Sequence, residues 1–191
     1  MIGAMKTAAA LLLLGLTSCT HFVNEYMRDA AAPTTPIDGE AVVVVYRPST
    51  FGGNTQFPIF EFQKGEGTLM GFAESGCYFE YRVPAGRHVF LTWGEGYAYI
   101  EADLAPKKIY YIRCYAELGF IAPRPRFDPV NAGTDEWTKL EADLKGLKLR
   151  ELDTAKAAPI EDSKEEQAKK AKARIDEGKK APTYLRPEDG R

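Results

Sequence analysis

Apolar and polar positions through the middle of the chain fall into short runs broken by turn residues at close intervals. The runs are EAVVVVYR (40–47), QFPIFEF (56–62), TLMGFA (68–73), CYFEYRV (77–83), RHVFLTW (87–93), YAYIEADL (97–104) and KIYYIRCYA (108–116). Most alternate with a period of two, the signature of a strand with one face covered and one face wet. The run AVVVV does not alternate and predicts a strand buried on both faces. Pro58 cannot donate to a ladder, which predicts an edge strand or a bulge there. Between the runs lie PSTFGGN, KGEG, ESG, PAG, GEG and APK, all rich in the residues that tight reversals use.

The pattern changes after the strands. ELGFIAPRPRFDPVNAGTDEW reads as an irregular, proline-rich passage. Thr134 is placed to cap a helix in which Trp137, Leu140, Leu144 and Leu147 form one apolar stripe. The fold predicted is mainly β: an antiparallel β-sandwich of the immunoglobulin or transthyretin kind, with one packing helix closing the domain near Leu152. Residues 153–191 are strongly polar and read as a charged tail, disordered or a solvated helix. Glu/Lys pairs three and four apart support helix over about 160–178. Upstream, residues 19–38, rich in Ala, Thr and Pro towards Asp38, read as a tether.

The first 18 residues have another character. One basic residue, Lys6, precedes an apolar run of about ten residues that ends in small side chains, the outline of a secretory signal peptide. A standard cleavage after Ser18 would put Leu16 at the third-last position, where a small side chain is wanted. Leu16-Thr17-Ser18-Cys19 instead resembles the lipobox of bacterial lipoproteins, which implies acylation at Cys19 and cleavage just before it. The alternatives are a chance cysteine after a standard signal, or a core helix. A single acyl chain binds membranes marginally and two or more anchor stably. The expectation is a palmitate-type anchor in the bacterial envelope. Thr20 follows it, not an aspartate, so the resemblance implies the outer membrane, facing the periplasm.

Removal of residues 1–18 leaves 24 basic against 27 acidic residues, a formal charge of −3. No basic run stands without interleaved acids, so a nucleic-acid partner is not expected. About 170 remaining residues suffice for one core and its extensions.

AVVVVYRPSTFGG, YFEYRVPAGRHVF, LAPKKIYYIRCYAELGF and RPRFDPV before a Trp/Leu helix resemble a bacterial lipoprotein family catalogued as domain of unknown function 2846. Members show a Tyr-Arg-Pro strand end, a Pro-Gly-Lys/Arg-His corner and a Gly-Lys-x-Tyr-Tyr strand. Here the corner is Pro84-Ala85-Gly86-Arg87-His88, one residue longer, and Ala105-Pro106-Lys107 replaces the usual glycine before the Lys. The resemblance spans about residues 39–150. It implies a fold and an envelope location and supplies no reaction.

Candidate chemistry is sparse. The chain has two histidines, His21 beside the expected anchor and His88 at a strand start. A catalytic zinc needs three protein ligands, often several of them histidine, so neither a His-based metal site nor any other cofactor is expected. His88 reads as a corner histidine bonded to a neighbouring loop rather than a general base. No nucleophile elbow or phosphate loop is present. Glu101 and Asp103 share a strand face and read as solvated acids rather than a glycosidase pair. Cys77 and Cys114 both fall on inward positions, leaving a disulfide and two buried thiols as open alternatives. Tyr78, Tyr97, Tyr99, Tyr111 and Tyr115 fall on outward positions, where they offer a binding face or a bed for the Trp137 helix.

The function expected is a lipid-anchored, non-enzymatic binding or structural module, with the membrane and an envelope protein or glycan as partners. A carbohydrate or peptidoglycan-binding accessory domain and an unrecognised hydrolase are the alternatives.

Overall fold

In the computed structural model the described residues are 26–178 and 181–191. The run 40–47 forms β2 (Glu40–Arg47), and every residue from Ala41 to Arg47 is buried, as its unbroken apolarity requires. On one side of it runs β5 (Cys77–Pro84) and on the other β8 (Ile109–Glu117). Three further strands, β1 (Met27–Asp29), β10 (Lys148–Leu152) and β9 (Arg124–Pro129), complete a six-stranded sheet in the order β1-β10-β5-β2-β8-β9. A second sheet is built from β3 (Phe57–Gln63), β4 (Glu66–Ala73), β6 (Gly86–Gly94), β7 (Gly96–Leu104) and β11 (Thr183–Leu185), in the order β11-β7-β6-β3-β4. The two sheets form a sandwich, with 45% of the chain in strands and 22% helical.

Three joins are parallel, β2 with β8, β10 with β5 and β11 with β7, so the sheets are mixed where wholly antiparallel ones were expected. The antiparallel expectation came from hairpin turns, and those hold: β3–β4 and β6–β7 are antiparallel neighbours. The parallel joins come from chain that leaves one sheet and returns later. Pro58 sits next to a bulge, with the β3–β4 register slipping between Ile59 and Phe60. The Pro84-Ala85-Gly86 corner carries the chain from the first sheet to the second, and Gly86 there has φ 122°, a conformation that favours glycine.

The expected helix is present as α1 (Asp135–Leu144), with Thr134 accepting a hydrogen bond from the N–H of Trp137. It covers the outer face of the first sheet, burying Leu140 against Tyr46 and Val130.

The tail is the main correction. Residues 154–176 form α2 (Thr154–Asp176), capped by Asp153, and it lies on the outer face of the second sheet with Ala157, Ala168 and Ile175 buried in the main core. Trp93 donates to the side-chain oxygen of Gln167 across that contact at 3.1 Å. The sheet supplies the apolar surface through Phe60, Phe62 and Trp93, so the helix needs only small residues to approach closely. Expected Glu/Lys pairs do line its wet side, Glu165–Lys169 and Glu166–Lys170 at 2.6 Å. Beyond it β11 extends the second sheet, and Asp189, 3% exposed, accepts from Asn131 Nδ2, Ala132 N and Arg186 N. The tether also enters the fold earlier than expected. Met27 is buried, and β1 pairs with β10.

No helix among the described residues is long and apolar enough to cross a membrane.

Candidate functional site

Cys19, His21 and the lipobox lie outside the described residues. The other candidates can be placed.

Cys77 and Cys114 are buried free thiols, which corrects the disulfide alternative. The register explains why. Cys77 pairs with Arg47, and Arg113 pairs with Tyr46, so the two cysteines flank β2 on opposite sides. Two strand spacings of about 4.8 Å put their Cα atoms roughly 10 Å apart, beyond disulfide reach. Arg47 stands between them, fully buried, and donates to the carbonyls of Phe51, Gly52, Thr55 and Ala73 at 2.6–3.1 Å. Its guanidinium also lies 4.9 Å from the Phe57 ring centroid. It pins the 48–56 loop over that end of the sandwich, and Gly52, with φ 65°, presents its carbonyl to it. Burial raises the Cys114 thiol to about 12.

The five tyrosines do not form one face. Tyr78 and Tyr111 pack under α1 with Trp137, Leu144 and Leu147. Tyr115 lies beside Arg113, whose guanidinium is 5.5 Å from its ring centroid. Tyr97 and Tyr99 belong to the other sheet, and Tyr99 is only 5% exposed. The flat aromatic platform that glycan binding would use is not assembled from these residues.

His88 is 3% exposed and faces the sandwich interior with Phe90, on which it stacks at 5.9 Å. Its Nδ1 lies 2.8 Å from Glu61 Oε1 and its Nε2 lies 2.8 Å from the carbonyl of Pro84. The histidine thus ties β6 to β3 and to the corner at Pro84. The loop contact was expected and Glu61 was not, although a charge inside the otherwise apolar run QFPIFEF was the available signal.

Beside this pair opens a cleft of about 750 Å³, between the C-terminal half of α2, the outer face of β6 and β7, the β3–β4 hairpin and residues 184–187. Its lining brings together His88, Glu101 and Asp103 with Lys64, Arg87, Lys169, Lys172, Asp176 and Arg186. Among the described residues, five cations face three carboxylates there. Lys172 is paired with Asp176 at 2.6 Å, and Lys169 with Glu165. Phe62, Val89 and Leu185 give the walls apolar patches. None of the described lining residues is a serine, threonine or cysteine, so they offer no aliphatic hydroxyl or thiol nucleophile to a bound molecule. Among the described residues no group of three His, Cys, Asp or Glu side chains is placed to hold a metal ion. The cleft could not be read from sequence, because half its lining comes from the segment expected to be solvated.

No protein-family model matches the chain, and no curated protein matches it.

Proposed function

We propose that the protein is a lipid-anchored, non-enzymatic binding module of the bacterial envelope, and that it recognises a charged ligand in the cleft between α2 and the second sheet. The observation that carries the reading is that cleft: a concave site with a cationic excess, apolar walls and no serine, threonine or cysteine among its described lining. Both ring nitrogens of His88 are engaged by the fold, which leaves the histidine a structural part. The Leu16-Thr17-Ser18-Cys19 pattern and the resemblance to the lipoprotein family known as domain of unknown function 2846 support the anchor. Lipid attachment raises the local concentration of a surface-bound partner, which suits a module that works by contact.

The test has two parts. Radiolabelled palmitate enters the wild type and not Cys19→Ala. A photo-crosslinking residue at Arg87 in intact envelopes gives a defined adduct that is lost when Lys64 and Arg186 are both changed to Glu. Equal labelling of the two chains removes the anchor, and an adduct indifferent to the charge reversal removes the cleft.

A further inference from the structure

The three most exposed large apolar side chains among the described residues lie together at one loop. Leu118, Phe120 and Ile121 are 83%, 94% and 88% exposed, between β8 and β9. Scattered exposed apolar residues are ordinary, but three at one tip are not.

The loop is held by a device. Glu95, in the turn between β6 and β7, accepts hydrogen bonds from the backbone N–H groups of Phe120, Ile121 and Ala122 at 2.7, 2.5 and 2.8 Å. Arg124 donates to the same carboxylate at 2.9 Å and to the Glu95 carbonyl at 3.2 Å. Gly119 closes the turn so tightly that a Cβ there would collide with the Ala122 carbonyl. The apolar side chains are therefore projected in a fixed direction while three backbone donors are already paired and the carboxylate is neutralised by arginine.

That combination favours one environment. In a lipid interface an unpaired backbone N–H is costly, and at this tip the N–H groups of Phe120, Ile121 and Ala122 are satisfied in advance. The three side chains stand 83–94% exposed, which leaves them free to insert among headgroups, and a loop already held loses little further freedom on binding. We infer that the Leu118–Ile121 tip is a membrane-contact element that dips into the headgroup and acyl boundary of the bilayer. This rests on the anchored reading of the protein.

The anchor constrains the pose. The Tyr26 carbonyl accepts from the N–H of Asp153, past the end of β10 that lies away from the loop, so the chain enters the domain about 30 Å along the strands from the tip. Seven residues from Cys19 to Glu25 span at most about 25 Å. Anchor and tip reach one bilayer only when the domain lies inclined across it.

The test uses the chain from Thr20 onward, which keeps every described residue because the described fold begins at Tyr26, with a histidine tag in place of the acyl groups. A nickel-chelating lipid holds this chain on phosphatidylethanolamine/phosphatidylglycerol vesicles, so the result does not depend on whether Cys19 is acylated. In the Phe120→Trp variant the introduced indole emits at shorter wavelength on vesicles than in solution, and acyl chains brominated near the headgroup quench it. Adding Ile121→Asp lowers that quenching roughly tenfold, because a carboxylate is far costlier to bury than an isoleucine. Glu95→Gln, which loosens the loop without touching its apolar residues, lowers it as well. An indole that stays water-exposed and unquenched on vesicles overturns the inference. So does one shielded without vesicles in a concentration-dependent way, which would make the tip a contact between copies, or one shielded only by added envelope protein.

Discussion

Glu61 and His88 stand on neighbouring strands of the second sheet, and 2.8 Å separates the carboxylate from Nδ1 while both side chains face the sandwich interior. Removing one member of a buried pair strands the other in a poorly solvated place. Glu61→Gln and His88→Gln are each expected to destabilise the domain by about 3 kcal/mol, and the double variant by less than the sum. Urea unfolding of the four proteins measures the coupling. Strict additivity would mean that the contact contributes nothing.

Cys77 and Cys114 are expected to react as two free thiols when the oxidised, unreduced protein is denatured. In the native protein Cys114, with its thiol raised to about 12, stays inert to alkylation at pH 8. Mass spectrometry after alkylation distinguishes the sites, and a bonded pair would contradict the register across β2.

Ending the chain after Asp153 removes the buried Ile175 and Leu185 together with Ala157 and Ala168. Ile175 and Leu185 alone contribute roughly 3 to 6 kcal/mol, a large part of the ~5–15 kcal/mol of a typical domain. The truncated chain is expected to unfold, as near-ultraviolet circular dichroism would report. Ile175→Ala in the intact chain is the milder check, with an expected loss of about 2 to 4 kcal/mol.

The hydrogen bonds from the 120–122 backbone hold the Glu95 carboxyl down to about 2 from its ordinary 4.5. A carboxyl depressed in the folded state contributes its stabilisation above the unfolded pKa and loses it as pH falls through the folded one. The amides of Phe120, Ile121 and Ala122 are therefore expected to lose protection between about pH 4.5 and pH 2, with the rest of the domain unchanged over the upper part of that window. Amide exchange measures it. Glu95→Gln should show the loosened loop already at neutral pH.

Much of the sandwich was legible because half-buried strands write their period into the sequence. The seven apolar runs became β2 to β8 with ends shifted by at most two residues. α1 was legible from its cap and stripe. What the sequence concealed were elements whose burial depends on a partner's surface. Ala157 and Ala168 look like solvated helix until the second sheet is set against them, and RPRFDP looks irregular until it pairs with β8. β1 and β11, three residues each, are too short to show any period. The cleft inherits that opacity. The cysteines misled for a related reason: alternation places a side chain on a face and gives no lateral distance along it, and Arg47 occupies the space between.

β2 has consequences for how fast the chain can reach this fold. Its antiparallel neighbour begins 37 residues after it starts, and its parallel neighbour begins 69 residues after it starts. Neither is joined to it by a hairpin, so no local event can nucleate the centre of the first sheet. Loop closure must be met before the pairing rewards it, which makes folding slow for a chain of this size. Until β8 arrives, AVVVV is a flat, uncharged, strongly β-forming edge, the kind of segment that pairs with other chains. A freshly made copy therefore needs shielding for longer than its length alone would require.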